Sequence, residues 1–567
     1  MPTLARRVIA LLSQPFGSAR IFLLVLIVAV ASGGFLISQR PQPCDDAYIT
    51  FRHVRNLIEY GRPSWNLHGV PVLGSTSPGY MFALAGPAFF FGSVNLDWIA
   101  LGINGAFHVF IVVFAFLTLR DFGCGVFASL MGSTLVGVNS VNLVIFAQGF
   151  ENAMFTAVML AAFYCASAGE RRLAVVLASL APLVRPEGVI VSAMVWGALL
   201  LRRRARWGFV PLFLLLPVVW AVFASAYYGS PIPHSLWAMK QFPAIYYPYQ
   251  YHSVDFLGRL PGLFNSVLHL WQDPAGPLLV HGLWKDPSPG LLSNVRYSIV
   301  VAGAFLSVGF ALRARAKCLV YVLFPPLFLI LFALLAYTKP WYYPSFVTSS
   351  LIAVCAGWFL AIERFSSQFA RRWPHVSLSH YQPVCILAVV LLLLSADRYG
   401  INRGQYDYAA KGLLFARHPF GKLWELWEDQ RYYQYRSAAE LLNARSDRDA
   451  TALITEVGVF GFFYRGAVLD TVGLCSPEAL RFYPPPPADI FRADGQLYSK
   501  AETFAPTAMI LELRPDFVVN SRAYLARLFR DDSQFLHEYV EIAALGKIWG
   551  EPLLIYERRD RRPPDDH

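Results

Sequence analysis

Two adjacent carboxylates, Asp45 and Asp46, head the segment Asp45-Asp-Ala-Tyr-Ile-Thr-Phe-Arg52-His-Val-Arg55-Asn56-Leu-Ile-Glu59-Tyr-Gly61. One aspartate at a helix start serves as a cap; two in succession exceed what a cap needs. Ala47, Phe51, Val54 and Ile58 recur at helical spacing and make an apolar face. Asp45, Arg52, Asn56 and Glu59 fall on the opposite face. The spacing predicts a short amphipathic helix with a carboxylate pair at its N-terminal end. Such a pair can take a proton from a hydroxyl. Nearby cations and tyrosine hydroxyls can stabilise a departing phosphate.

Four other places carry polar residues out of keeping with their surroundings. Glu151, in Gln148-Gly-Phe-Glu-Asn152, opens an apolar run, where capping is the plain alternative. Arg185-Pro-Glu187-Gly188 interrupts another run, and the two charges there either cap the turn or bind a substrate. Tyr227-Tyr-Gly-Ser-Pro-Ile-Pro-His234 leads to Lys240. Lys339-Pro-Trp341-Tyr342-Tyr343 ends a further run, and its aromatics also suit an interfacial belt.

The elements that must position these residues are membrane helices. Of 567 residues, 56% are hydrophobic and 15% charged, against about 25% charged in an ordinary domain. Mean hydropathy is +0.44. Apolar stretches at 21–37, 98–119, 209–226, 319–336 and around 384–394 approach or reach the roughly 20 residues that cross a bilayer. A cytosolic enzyme, a secreted disulfide scaffold and a disordered tail are excluded. The net charge of +11 would suggest nucleic acid on a soluble protein. Here the arginines sit between apolar runs and read as topology signals, so no nucleic-acid partner is expected.

Placing Arg6/Arg7, Arg120, Arg171/Arg172 and the clusters at 202–206, 313–317 and 364–372 inside predicts about eleven transmembrane helices. They fall near 19–38, 98–119, 124–146, 150–168, two short legs within 173–201, 207–228, 293–313, 318–337, 343–362 and 383–398. The N-terminus is then inside and the C-terminus outside. Residues 39–97 form an outer loop in which 78–92 lies along the interface as a juxtamembrane helix. Between Arg172 and Arg202 only about 44 Å of helix is available, short for two full crossings. Arg185–Gly188 should therefore tip a short helical hairpin, where buried charge is costly unless functional.

The expected architecture is a polytopic all-α membrane domain over 1–398 and a C-terminal extracytoplasmic α/β domain over 399–567. Strands are predicted at 452–455, 467–470, 516–520 and 552–556, and helices at 433–443 and 522–529. Val457-Gly-Val-Phe-Gly461 is not a dinucleotide fingerprint. Seven cysteines show no CxxC pair; Cys44 and Cys475 lie on the same predicted side. No cofactor is demanded. A divalent cation at the acidic pair stays open, although no His/Cys set calls for one.

All five polar features fall at outer helix ends, where a substrate with a polyprenyl tail would arrive from the bilayer. The coherent chemistry is glycosyl transfer from a polyprenyl-phosphate sugar, with one activated hydroxyl attacking in line and inverting the anomeric centre. A glycosidase-style carboxylate pair is less apt, because phosphate needs little protonation to leave.

Several motifs carry a family likeness: Asp45-Asp-Ala-Tyr-Ile-Thr-Phe-Arg52, Arg55-Asn-Leu, Trp65-Asn66 and Gly74-Ser-Thr-Ser-Pro78. Gly149-Phe-Glu151-Asn-Ala, Val184-Arg-Pro-Glu-Gly188, Tyr228-Gly-Ser-Pro-Ile-Pro and Val468-Leu-Asp470-Thr-Val-Gly-Leu474 follow in order. The set resembles the GT-C superfamily of integral-membrane glycosyltransferases. Within it, the likeness is to the bacterial branch containing the terminal arabinofuranosyltransferase of mycobacterial arabinogalactan. The resemblance implies an inner-membrane enzyme whose catalytic residues are Asp45, the better base, and Asp46. It implies a decaprenyl- or undecaprenyl-phosphoryl-arabinofuranose donor and a glycan, lipid or protein acceptor in cell-wall biogenesis. Arg52, Arg55, Glu151, Arg185, Glu187, His234, Lys240, Lys339, Trp341, Tyr342 and Tyr343 are the expected substrate-binding residues. The chain departs from the pattern at His234, where relatives often carry Asn. It departs again at Gly69-Val-Pro-Val-Leu-Gly74, which lacks an acidic residue.

Three rivals differ in what they need. A transferase of mannose or amino-arabinose needs the same machinery with another sugar pocket. A lipid-linked-sugar flippase needs charges along a path to the cytoplasm, whereas these lie at outer ends. A glycan-binding scaffold would tolerate changes at Asp45 and Asp46.

Overall fold

The apolar runs fold as helices whose ends fall where glycine, proline or charge interrupts them. The computed structural model describes residues 17–38, 43–201, 207–239, 302–310, 319–335, 342–373, 381–402, 430–487, 495, 505–522, 524, 532–548 and 551–561. In chain order these include α1 (Gly17–Ser38), α2 (Ala47–Tyr60), α3 (Pro78–Phe91), α4 (Leu96–Phe122), α5 (Val126–Gly137) and α6 (Ser140–Ala147). There follow α7 (Asn152–Ala168), α8 (Arg171–Val184), α9 (Gly188–Leu201), α10 (Val210–Tyr228) and α11 (His234–Met239). Then come α12 (Leu319–Leu335), α13 (Tyr343–Arg372), α14 (Gln382–Asn402), α15 (Gln430–Arg445) and the short α16 (Gly458–Phe463).

Contacts divide the chain into two compact units. One draws on Met1–Pro41, Trp98–Val218 and Pro261–Trp427; the other on Gln42–Asp97, Val219–Leu260 and Glu428–His567. The predicted outer loop thus groups with the C-terminal residues.

The first unit is helical. Among the described residues, Ser93–Phe122, Trp207–Tyr228 and Tyr343–Arg372 are long and apolar enough to cross a membrane. The predicted helix over 124–146 is broken: Val126–Gly137 and Val141–Ala147 meet at 45°. Against the eleven spans expected, several helices are shorter. The legs α8 and α9 have 14 residues each, about 21 Å at 1.5 Å per residue, as the arginine spacing required. Gly188 makes their tight turn possible, because a Cβ there would run into the Ala181 backbone and stand 2.5 Å from the Pro182 nitrogen. Ser192 then ties the legs by donating to the Ala178 carbonyl at 2.6 Å. Buried polar groups find partners: Asn104 Nδ2 donates to the Phe146 and Phe150 carbonyls at 2.9 Å, and Asn142 Nδ2 to Thr348 Oγ1 at 2.9 Å.

The second unit is built on a five-stranded sheet of β1 (Thr451–Ile454), β2 (Ala467–Asp470), β3 (Phe517–Ser521), β4 (Tyr539–Ile548) and β5 (Glu551–Arg558). The order is β2-β1-β3-β5-β4; β1 lies parallel to β2 and β3, while β5 is antiparallel to β3 and β4. All four predicted strands appear within a residue or two of their expected ends. The fifth, β4, has the unpromising core Ala543-Ala-Leu-Gly-Lys547 and is extended because it pairs with β5 across two register shifts. The predicted helix over 433–443 is α15. Those over 522–529 and 293–313 fall largely outside the described residues. Cys475 is a free, buried thiol against Gly74.

Candidate active site

The amphipathic helix forms as α2, and neither aspartate caps it. Asp46 occupies the N-cap position without a capping hydrogen bond from its side chain. Asp45 reaches instead to the turn before α16. Its Oδ2 accepts from the Gly458 amide at 3.0 Å and its Oδ1 from the Val459 amide at 2.8 Å. The approach needs a glycine: a Cβ on Gly458 would overlap the Asp45 carbonyl oxygen. Asp45 is 6% exposed, while Asp46 is half-buried. Burial pushes the Asp45 carboxyl up to about 7, with Glu456 and Asp46 adding repulsion that the Val459 amide and Arg431 only partly offset. A carboxylate has about four lone-pair sites. Two amides therefore leave Asp45 capacity to accept a further hydrogen.

On the polar face of α2, Arg52 and Asn56 are buried within the second unit, whereas Glu59 is exposed. Arg52 is 1% exposed. Its Nε donates to the Trp65 carbonyl at 2.7 Å, and its Nη2 to Asn66 Oδ1 at 3.2 Å and the Gly466 carbonyl at 2.9 Å. Its Nη1 donates to the carbonyls of Gly461 and Tyr464, and its guanidinium lies 4.8 Å from the Trp65 ring centre. Arg55 donates to the Phe462 carbonyl and stands over the Phe462 ring. Thus α2 grips α16 at both ends: a carboxylate on the first amides, guanidinium groups on the last carbonyls. This matches the polarity of unsatisfied groups at helix termini. Arg52, expected to bind substrate, thus has a full set of protein partners.

His234 is likewise engaged. Its Nε2 lies 3.0 Å from the Gly473 carbonyl, and its amide donates to the Leu73 carbonyl at 3.0 Å. Burial lowers its proton affinity, which the bond to Gly473 partly offsets. Asp470 folds its own loop by accepting from the Val472 amide at 2.8 Å and the Cys475 amide at 2.9 Å.

In the first unit, Glu151, Arg185 and Glu187 come together. Arg185 Nε donates to Glu187 Oε1 at 2.5 Å, and its Nη1 to Glu151 Oε1 at 2.5 Å and Asn152 Oδ1 at 2.7 Å. The Tyr342 ring centre is 4.8 Å from the guanidinium. Arg185 and Glu187 are 2% and 3% exposed. Two carboxylates and the Asn152 amide oxygen thus share one guanidinium. Tyr343 is buried in the first turn of α13. Lys240, Lys339 and Trp341 lie outside the described residues.

Sequence reading passed over Asn152, although it directly follows Glu151; its Nδ2 is buried without a hydrogen-bond partner. It also passed over Glu456, Arg431 and Tyr435. Glu456 Oε1 accepts from Arg431 Nη1 at 3.0 Å, and its Oε2 from the Tyr435 hydroxyl at 2.7 Å. The available signal was Glu456 two residues before Gly458. No group of three or more His, Cys, Asp or Glu among the described residues has metal-binding geometry.

Comparison with known proteins bears on the fold. Residues 424–561 match a domain of unknown function, DUF8728. No curated protein matches the sequence. The structure of ArnT from Cupriavidus metallidurans bound to undecaprenyl phosphate aligns with a TM-score of 0.51 at 12% identity. That alignment covers 95% of this chain and 98% of that one. The apo state of the same protein gives 0.50 at 13% identity, covering 96% and 98%. A mycobacterial arabinofuranosyltransferase, AftD, gives 0.41 at 12% identity, covering 94% of this chain and 40% of that one, and carries no argument. The likeness to ArnT is therefore one of fold, over nearly the whole of both chains.

Proposed function

We propose that the protein is an inverting glycosyltransferase that moves a sugar, arabinofuranose by the sequence resemblance, from a polyprenyl-phosphate donor to an extracytoplasmic acceptor. The observation that carries the reading is the buried Asp45 carboxylate, held by two amides and poised near neutrality. A general base works best with a proton affinity near the working pH. The fold adds support, since ArnT with the same architecture binds undecaprenyl phosphate.

In this reading the acceptor hydroxyl attacks the anomeric carbon while its proton passes to Asp45. The bond from that carbon to the phosphate oxygen breaks, and the polyprenyl phosphate departs with the electron pair. Asp46, half-buried beside Asp45, contacts substrate. On sequence grounds, Glu151, Arg185 and Glu187 bind substrate. Lys240 and Lys339 are the cations for the leaving phosphate, on sequence grounds. The positive-charge pattern puts this chemistry on the periplasmic face of the inner membrane. The two carboxylates beside Arg185 favour one second reading, a donor carrying a cationic amino-pentose.

The test supplies purified wild type, Asp45→Asn and Asp46→Asn with decaprenyl-phosphoryl-arabinofuranose, the mannosyl and the amino-arabinosyl analogues, and envelope extract. Mass spectrometry follows donor loss and mass gained by the acceptor. Pentose transfer by wild type and its loss in Asp45→Asn are expected. Transfer retained in both variants would remove the base; no consumption of any donor would remove the reaction.

A further inference from the structure

We infer that Glu456 is a positioning residue for the proposed base, brought to Asp45 by the same turn whose amides hold it and fixed there by α15. The inference rests on the reading of Asp45 as base. Glu456 immediately precedes the N-cap of α16, two residues before the Gly458 amide that binds Asp45. Its side chain is not loose: one oxygen accepts from Arg431 and the other from Tyr435, both on α15. Arg431 and Glu456 are mostly buried, with side chains 18% and 16% exposed. The carboxylate is thereby fixed beside the turn whose Gly458 and Val459 amides hold Asp45.

The groups acting on Asp45 come from three elements. From the start of α2 comes Asp46; from the turn before α16, Glu456 and the Val459 amide; from α15, Arg431. Tyr48 on α2 and Tyr435 on α15 lie near enough for the Asp45 charge to act on them. Glu456 and Asp46 oppose ionisation of Asp45, and Arg431 favours it. Because Arg431 also pairs with Glu456, its position sets how much of the Glu456 charge reaches Asp45. A residue of the C-terminal α/β region would in this way tune the pH at which the acidic pair of the first loop works.

Two readouts on full-length protein test this, one of them independent of any donor. A carboxyl whose proton affinity is higher folded than unfolded makes the folded state more stable at low pH. That contribution is lost as pH rises from about 4 through about 7. Thermal unfolding is measured across this range for wild type, Asp45→Asn, Glu456→Gln and Arg431→Gln. Transfer from decaprenyl-phosphoryl-arabinofuranose is followed over the same pH values. Asp45→Asn should remove part of the decline in Tm. Glu456→Gln should reduce the decline and move the acid limb of the transfer profile to lower pH, and Arg431→Gln should move both the opposite way. Tyr435→Phe, which keeps every charge, guards against a misfolded Glu456→Gln and should shift the profile without abolishing transfer. If Asp45→Asn flattens the decline but Glu456→Gln and Tyr435→Phe leave it and the acid limb as in wild type, Glu456 is only structural and the inference is overturned. An Asp45→Asn slope equal to wild type overturns it as well. If the Tm pattern is as expected while Asp45→Asn still transfers sugar, it is the reading of Asp45 as base that fails.

Discussion

Gly458→Ala is the sharpest probe of how the acidic pair is held. On helix propensity alone the change should stabilise α16 by about 1 kcal/mol. The structure predicts the opposite. The new Cβ would overlap the Asp45 carbonyl oxygen and stand 2.5 Å from its carbon and 3.0 Å from Asp45 Cγ. Ordinary carbon contacts begin near 3.5 Å, and the overlap with the carbonyl oxygen is the tightest of the three, so the turn and the aspartate must part by more than about 1 Å. The move strains or breaks the two amide bonds to the carboxylate, each worth about 1.5–3 kcal/mol as a hydrogen bond to a charged group. Net destabilisation of about 2–5 kcal/mol follows. A displacement of 1 Å at a reacting group costs on the order of 10²-fold in rate. The assay compares sugar transfer and Tm of Gly458→Ala with wild type and with Gly86→Ala, a helical glycine whose Cβ would meet nothing within 4 Å. The reasoning is refuted if Gly458→Ala transfers at the wild-type rate with an unchanged Tm.

Three further outcomes are expected. Arg52→Met leaves the carbonyls of Gly461, Tyr464 and Gly466 without this donor and the Trp65 carbonyl with Asn56 Nδ2 alone, and should cost about 3–5 kcal/mol of stability, read as a lower Tm. An unchanged Tm with a raised KM would instead return Arg52 to substrate binding. Arg185→Lys keeps the charge but loses the planar fork shared by Glu151, Glu187 and Asn152, so transfer should fall at least about tenfold without rescue; wild-type kinetics would dismiss the cluster as a site. The base acts when ionised, so kcat/KM should fall as pH drops through about 7. A profile flat across that range would exclude Asp45 from proton transfer.

Much of the architecture is legible without coordinates. Apolar runs between arginine clusters place α1, α4, α7 and α10 within a few residues, because a membrane helix must be apolar along its length. The arginine spacing also forces the short α8–α9 hairpin. That Arg185 and Glu187 are too polar for their run is legible too; that Glu151 and Asn152 join them is not. Four strands of the sheet announce themselves by their β-branched and aliphatic runs, whereas β4 does not, since its extended state comes from pairing with β5.

The sequence by itself determined that this is a helical membrane protein with a mixed C-terminal region, and which residues are too polar for their setting. It did not determine what those residues touch. Asp45 and Gly458 are 413 residues apart, and Arg52 and Gly466 are separated by 414. Helical periodicity assigns a side chain to a face, but the surface covering that face belongs to another part of the chain. So a face read as open to substrate became the grip of α2 on α16. Likewise, the charge that bears most on Asp45 from outside its own helix belongs to Glu456, which α15 holds in place. Hydrogen bonding and charge act over a few ångströms of space and take no account of distance along the chain, and only tertiary structure brings these groups within that range.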